Sequence, residues 1–563
     1  MSFGFAWTTS CLVVGVAAAG PPAPWAGYLD EEAYAARLEA LRESAPEQVV
    51  IDQYGTSREG RPLRAVVLAS DPSVADDRPT ILVVGGLDAL HPAGTEYSVR
   101  MAERILAEHA GILEEVTVVL MPRANPDGIA ALMAGTNDGR RGGARVVDAD
   151  RDGLIDEDGP LDLDGDGVIT MMRLADPGLD HPPTHVCDPG EPRSMRKADV
   201  AKGERATHAM FVEGRDADGD GLFGEDGRGE VRIDRNFMHL FAEHERESGP
   251  YQLSEPESLA IAEWVIERPR VFGAIVFGPH DWMITLPDTT RKDVTGRTPI
   301  GIDAADKPQY EQLAAAWKER TGQARSGDED DRGGLHSWLY AHRGIPVVAT
   351  TGWGRPDPTE RTEAEAAESS KPASDLPEPG DVEQAGWLAW SDADRDGAGF
   401  VEWREFDHPQ LGLVEIGGPV PGFDANPPVG MIDDLSAGHA EFVSALAAMR
   451  PRIVVDGPEI ESLGAGVARI RMAVRNEGEM PLQSAMARTS RAIRPLVVRP
   501  LVDVDRLLQG SSVELVDRLE PGARRDFEWI VRMPAEGITI EVDDPRGVLR
   551  TFGTGTTSRG ATQ

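Results

Sequence analysis

The sequence predicts an α/β domain followed by an all-β domain, and three observations carry this. Short apolar runs at Leu63–Leu68, Thr80–Val84 and Val116–Leu120 are interleaved with stretches whose apolar residues fall on one helical face. Strands alternating with helices point to a helix-covered sheet. After Pro451 the pattern changes to strict alternation, as in Phe527, Trp529, Val531 and Met533, which marks strands with one buried face.

The elements follow in order. Residues 1–19 end in the apolar run Cys11–Ala19, and Ala17-Ala18-Ala19 before Gly20 fits a signal-peptide cleavage site. The protein is therefore expected to be secreted or periplasmic. No other stretch reaches ~18 uninterrupted apolar residues, so no membrane span is expected. Asp30 caps a helix with Tyr34, Leu38 and Leu41 on one face, and Tyr97, Met101 and Ile105 mark the next. Ser254-Glu255-Pro256-Glu257 has the form of a capping box with Pro in the first turn. Residues 355–385, rich in Pro, Glu, Ala and Ser, predict a mobile insertion. Helical periodicity at Leu435–Met449 closes the α/β domain, expected over 25–450. Val467, Ile470, Met472 and Val474 lead into a turn at Asn476-Glu477-Gly478, so 451–550 predict a β-sandwich and 551–563 a disordered tail.

The 563 residues carry 96 acids against 57 Lys and Arg, a formal charge of −39. Phosphate recognition needs clustered basic side chains, so nucleic acid is excluded as a partner and an anionic membrane surface is a poor one. Two cysteines, Cys11 and Cys187, exclude a disulfide framework. Oligomeric state is not legible.

Four segments share the spacing D-x-D-x-D-G: Asp148, Asp150, Asp152; Asp162, Asp164, Asp166; Asp216, Asp218, Asp220; and Asp392, Asp394, Asp396, each trio followed by Gly. Alternate carboxylates on a tight turn converge on one hard cation, and Gly permits the turn. The twelfth position of a full EF-hand loop needs Glu, but here it is Gly159, Arg173, Gly227 or Trp403. The expectation is structural calcium on half-loops, in an insert over about 146–233.

Several segments together resemble the zinc carboxypeptidase family. Gly55-Thr56-Ser57-Arg58-Glu59-Gly60-Arg61-Pro62-Leu63 is similar to its G-x-S-x-E-G-R-x-L motif, Asn125-Pro126-Asp127-Gly128 matches N-P-D-G, and Asp234-Arg235-Asn236-Phe237 resembles N-R-N-F. Gly344-Ile345-Pro346 stands where the family's last catalytic strand begins. The order holds over roughly 28–450, and the aspartate inserts resemble those of a secreted bacterial-type branch. The resemblance implies a mixed sheet with helices on both faces and a zinc site made by H-x-x-E plus a later His.

At that place the chain reads Asp88-Ala89-Leu90-His91, an inverted carboxylate–imidazole pair, with Pro92, Gly94 and Glu96 in the family's trailing pattern. Both residue types are competent zinc ligands. His280, after the strand Ala274–Phe277, is the candidate third ligand. The family's general base, a Glu late in the strand after Gly344-Ile345, is replaced by Thr351 or Gly352, and Glu415 is the candidate to reach in instead. By resemblance Arg141 is the oxyanion-stabilising residue and Arg235 the carboxylate binder, with Asp234 and Asn125 beside the substrate.

Two functions fit. One is a metallocarboxypeptidase cleaving C-terminal peptide or related amide bonds with a zinc-activated water. The other is a catalytically inactive relative that binds peptide termini or cell-surface material, stabilised by calcium.

Overall fold

The structure is a computed structural model. It describes residues 21–135, 139–147, 158–224, 229–296, 298–327, 329–356, 380–534, 537–547 and 549–553. The signal-like segment, the Asp148, Asp150 and Asp152 loop, residues 357–379 of the expected insertion and 554–563 of the tail lie outside the described residues.

Strands are numbered in chain order. A six-stranded mixed sheet runs β1 (Val49–Thr56), β2 (Pro62–Leu68), β4 (Thr117–Met121), β3 (Thr80–Val84), β9 (Val271–Phe277) and β10 (Val347–Thr350). The first three strands pair antiparallel, while β4, β3, β9 and β10 are parallel. Every residue of β3, β4, β9 and β10 is buried. Parallel strands lose both faces to packed elements, which explains their unbroken apolar runs. The loops after β3, β9 and β10 leave from one carboxyl edge, where ligands bind in open α/β sheets.

Helix α1 (Glu31–Ser44) starts on Asp30, whose Oδ1 accepts from Ala33 N at 2.8 Å, and it buries Tyr34, Leu38 and Leu41 as the period predicts. Helices α2 (Ala93–Glu108), α3 (Pro126–Met133), α4 (Pro256–Glu267), α5 (Lys307–Thr321) and α6 (Leu335–Arg343) follow. The capping box does not form. Asn236 Oδ1 accepts from Glu255 N at 3.1 Å, and its Nδ2 lies 3.0 Å from Ser254 Oγ. Ser254 is thereby withheld from the helix, and Glu255 becomes an N-cap with no side-chain bond.

The two insertions belong to one compact unit, Glu157–Gly227 with Asp357–Pro421. Its six-stranded antiparallel sheet runs β11 (Phe400–His408), β12 (Gly412–Pro419), β5 (Met171–Ala175), β8 (His208–Val212), β6 (His185–Cys187) and β7 (Met195–Lys197). A small core of Met172, Phe223, Val414 and Ile416 packs on it. The fourth aspartate segment is not a loop. Asp392 and Asp394 lie in the last turn of α7 (Val382–Asp394), Asp396 follows its C-cap Arg395 at φ +53°, and Arg193 binds Asp392 at 2.9 Å. A helix spreads alternate side chains around its axis and cannot converge them on one ion.

After α8 (Ile432–Met449), two four-stranded sheets follow. One is β13 (Ile453–Gly464), β14 (Val467–Asn476), β18 (Arg524–Arg532) and β16 (Leu507–Gln509). The other is β17 (Glu514–Val516), β15 (Leu496–Leu501), β19 (Thr539–Asp543) and β20 (Arg550–Gly553). Ile470, Met472, Phe527 and Trp529 from the first share one apolar core with Leu496, Val498, Ile540 and Val542 from the second. This region joins the α/β sheet in a single unit. The buried Asp306 carboxylate accepts from Ala485 N at 2.7 Å and Met486 N at 3.2 Å, at the start of α9 (Ala485–Ser490). It also accepts from Arg518 at 2.9 Å and the Tyr340 hydroxyl at 2.9 Å.

Candidate functional site

The carboxyl edge of β3 and β9 gathers a dense polar cluster. From the loop after β3 comes Asp88, 1% exposed, whose Oδ1 accepts from Leu90 N at 2.8 Å. Its Oδ2 lies 3.4 Å from Arg141 and 3.8 Å from Arg232. Arg232 grips Asp234 with two donors at 3.1 and 2.8 Å. Arg141, Arg232 and Arg235 then converge on one carboxylate, Glu329, at 2.6, 3.1 and 2.7 Å. Glu329 leaves about a quarter of its side chain to solvent, whereas Arg232 and Arg235 are almost fully covered.

The two buried aspartates are driven in opposite directions. Burial raises the Asp88 carboxyl above the usual range against the pull of Arg141 and Arg232. Burial acts on Asp234 too, but there Arg232 and His280 outweigh it and hold the acid well below that range. Glu329 is also lowered, with Arg232, Arg141 and Arg235 overcoming its partial burial.

Beside Asp234 stands His280, whose Nε2 is 3.4 Å from the Asp234 Oδ2. Its ring lies 4.2 Å from that of His336, whose Nε2 is 2.7 Å from Asp331 Oδ1. His280, Asp331 and His336 can present ligand atoms within 4.8 Å of one another.

The residues expected to hold zinc are not brought together. His91 Nε2 lies 3.0 Å from the Thr351 carbonyl, which makes it the donor, and burial pushes the imidazole down to about 4. Its Nδ1 has no protein partner, but no third ligand gathers with Asp88 and His91 among the described residues. Two guanidinium groups within 4 Å of Asp88 already supply positive charge where a dication would bind. These side chains do not fit the family's ion. Glu415 lies on β12 of the insert unit, opposite Arg173 and 2.8 Å from its guanidinium, so its carboxylate is committed to a cross-strand ion pair.

The position of the expected base is closed. Thr351 Oγ donates to the Trp353 carbonyl at 2.5 Å and accepts from Gln323 Nε2 at 3.2 Å. Gly352 adopts φ +73°, and a Cβ there would lie 2.7 Å from the Tyr97 ring and 2.9 Å from Phe277.

Of the substrate-side candidates, Arg141, Arg235 and Asp234 do meet in the cluster. Asn125 is consumed structurally, with Oδ1 accepting from Gly128 N and Nδ2 donating to the Gly142 carbonyl, each at 3.0 Å. It thereby fixes the backbone next to Arg141. Asp127 ties down the G-x-S-x-E-G-R motif, accepting from Ser57 Oγ at 2.7 Å, Glu59 N at 2.9 Å and Arg61 at 2.6 Å.

Sequence reasoning missed Arg232, Glu329, Asp331 and His336. The signals available were Arg232 two residues before Asp234 and the charged run up to Arg332-Gly333-Gly334 after α5. The aspartate loops form two acidic groups, Asp162 and Asp164 with Glu213, and Asp158 with Asp216 and Asp218. Asp166 and Asp220 stand outside both groups.

Residues 34–152, which contain the G-x-S-x-E-G-R motif, N-P-D-G and the Asp88–His91 loop, match the family described as zinc carboxypeptidase. This stretch is zinc-carboxypeptidase-like. Carboxypeptidase E of Caenorhabditis elegans is 28% identical over 127 residues, covering 21% of this chain and 27% of that protein. Carboxypeptidase B of Astacus astacus is 31% identical over 109 residues, covering 19% and 35%. The chain thus spans about a third or less of these carboxypeptidases. Among solved structures, carboxypeptidase A from Helicoverpa armigera gives a TM-score of 0.36 at 13% identity over 66% of this chain and 73% of that one. Thrombin-activatable fibrinolysis inhibitor gives 0.40 at 12% identity over 75% and 73%. Residues 452–551 match a family described as Domain of unknown function (DUF8731). Among the described residues, no helix is long and apolar enough to cross a membrane.

Proposed function

We propose that the α/β unit is a carboxylate-recognition module on a zinc-carboxypeptidase-like scaffold, taking up the free C-terminus of a peptide or peptide-like material without cleaving it through the family's metal. One observation carries this: three guanidinium groups at 2.6–3.1 Å surround the Glu329 carboxylate. Arginine presents planar, paired donors that match a carboxylate, and here Arg232 is pre-oriented by its two bonds to Asp234. Glu329 then acts as an internal stand-in. A peptide carboxylate enters as the Glu329 side chain swings to solvent, and the three arginines exchange one anion for another. Because charge is conserved in the exchange, the buried guanidinium groups are not left unpaired.

The hydrolytic alternative needs a water-activating ion and a base. Asp88 is taken by arginines, no third ligand gathers with it and His91 among the described residues, and Gly352 has no room for a side chain.

The test is calorimetric titration of the full chain with a short peptide carrying either a free C-terminal carboxylate or a C-terminal amide. The free acid should bind, and the amide should bind at least tenfold more weakly. Equal affinities would remove the proposal, as would turnover of the free acid that is lost with His91→Ala.

We also propose that the protein is secreted or periplasmic, that residues 451–550 form a β-sandwich, and that calcium occupies the groups around Asp162 and Asp216. The calcium reading is supported by the turn geometry. Asp162 accepts from the amides of Gly165 at 2.8 Å and Gly167 at 2.9 Å, so the loop closes on its first carboxylate.

A further inference from the structure

We propose that His280, Asp331 and His336 bind a divalent transition-metal ion of the zinc type, at a place separate from the Asp88–His91 loop. Two imidazoles and one carboxylate are a donor set suited to such an ion, and three protein ligands leave a position for water or a ligand. Tetrahedral bonds of about 2.1 Å space ligand atoms roughly 3.4 Å apart, so atoms already within 4.8 Å need only a small closure.

Hydrogen bonding at His280 points the same way. Its Nδ1 faces the Glu329 carbonyl at 3.4 Å and must donate to it. Its other nitrogen, Nε2, is buried and has no hydrogen-bond partner among the described residues, which leaves it open to an ion. It lies 3.4 Å from the Asp234 carboxylate, at the edge of the arginine cluster. A ligand histidine fixed through its other nitrogen to a carbonyl is the usual supporting arrangement at metal sites.

Asp331 is similarly braced, since the Trp282 indole N–H reaches its two oxygens at 3.1 and 3.2 Å. At His336 the Nε2 donates to Asp331, while Nδ1 is buried without a partner among the described residues. Metal binding to Nε2 would shift the ring's single proton to Nδ1. The two imidazole planes meet at 36°, so one ring must tip for both nitrogens to face one ion. Asp331 keeps about a quarter of its side chain in solvent, which provides a way in.

The experiment uses the full chain, stripped of metal and then held in about 2 mM calcium to fill the acidic loops. Zinc is titrated by calorimetry, and cobalt(II) is added separately to read coordination from its visible absorption. The expected result is one equivalent of zinc and an intense, tetrahedral-type cobalt spectrum. His280→Ala and His336→Ala should each weaken zinc binding by at least ~100-fold, and His91→Ala should leave it unchanged. Where an alanine variant fails to match the wild-type melting curve, the partly exposed Asp331→Asn replaces it, with at least a tenfold loss expected. Absence of stoichiometric zinc binding, its loss with His91→Ala, or its retention in folded variants of this trio would each overturn the proposal.

Discussion

The Arg235 guanidinium holds the Glu329 carboxylate at 2.7 Å, across 94 residues of chain and inside a cluster shared with Arg141 and Arg232. If Glu329 competes with an incoming carboxylate, Glu329→Gln should tighten binding of a free-acid peptide by roughly tenfold. Arg235→Ala should weaken it by at least tenfold, since a charge-assisted bond contributes roughly 1.5–3 kcal/mol. Isothermal titration with both variants checks this, and unchanged affinity in Glu329→Gln would end the stand-in role.

Glu257 gives a pH-dependent prediction. It is buried, its Oε1 accepts from Arg58 N at 3.0 Å, and its Oε2 has no partner among the described residues. Burial raises it to about 7, opposed by the Arg58 amide and supported by Asp127 and Glu255. The folded value lies above the unfolded one, so the folded state holds the proton more tightly. Stability is therefore lost as pH rises from about 4.5 through about 7. The full gap corresponds to roughly 3 kcal/mol. Glu257→Gln should raise the melting temperature at pH 8 and do little at pH 5. A uniform shift at both values would show that the proton is not responsible.

Calcium should stabilise the chain through its acidic loops. Extracellular sites of this type have Kd near 10⁻⁴–10⁻³ M, so about 5 mM calcium should raise the melting temperature by a few degrees. Magnesium should substitute poorly because it demands stricter octahedral geometry. Asp162→Asn with Asp216→Asn should blunt the response. Identical melting curves in EDTA and in calcium would remove these loops as sites.

Gly352 should tolerate no side chain. Its φ of +73° and the contacts of 2.7–2.9 Å that a Cβ would make predict a loss of roughly 2–4 kcal/mol for Gly352→Ala. Gly352→Glu should be worse and should not create hydrolysis. Urea unfolding of the alanine variant within ~0.5 kcal/mol of wild type would contradict this packing.

Local rules made several elements legible. The Asp30 cap, the Tyr34, Leu38 and Leu41 face and the limits of β3 depend on neighbours within a few residues, and the alternation at Phe527–Met533 gave β18 its buried side. Arg141 and Arg235 were legible through motifs, because N-P-D-G and D-R-N-F also fix the surrounding backbone. Glu329 and His336 were not. Arg141 meets Glu329 across 188 residues, and no periodicity encodes such a meeting. The capping box failed for the same reason, since Asn236 reached Ser254 and Glu255 from outside the helix. The fourth aspartate segment matched the calcium spacing but continued a helix, so shared spacing did not mean shared backbone.

Asp306 ties the order of folding to the order of synthesis. Its carboxylate takes the amide of Ala485, 179 residues later, and Arg518, 212 residues later. A chain emerging from its N-terminal end completes every strand of the α/β sheet before either partner exists. Until then the Asp306 carboxylate, at the start of α5, keeps only the Tyr340 hydroxyl of these donors. α6 begins at Leu335 with His336 in its first turn, and the Glu329 loop leads into it. The contact that joins the start of α5 to the C-terminal sheets can therefore close only after translation has delivered Ala485 and Arg518. A ribosome stalled before Ala485 would carry an α/β sheet whose Asp306 still lacks these partners.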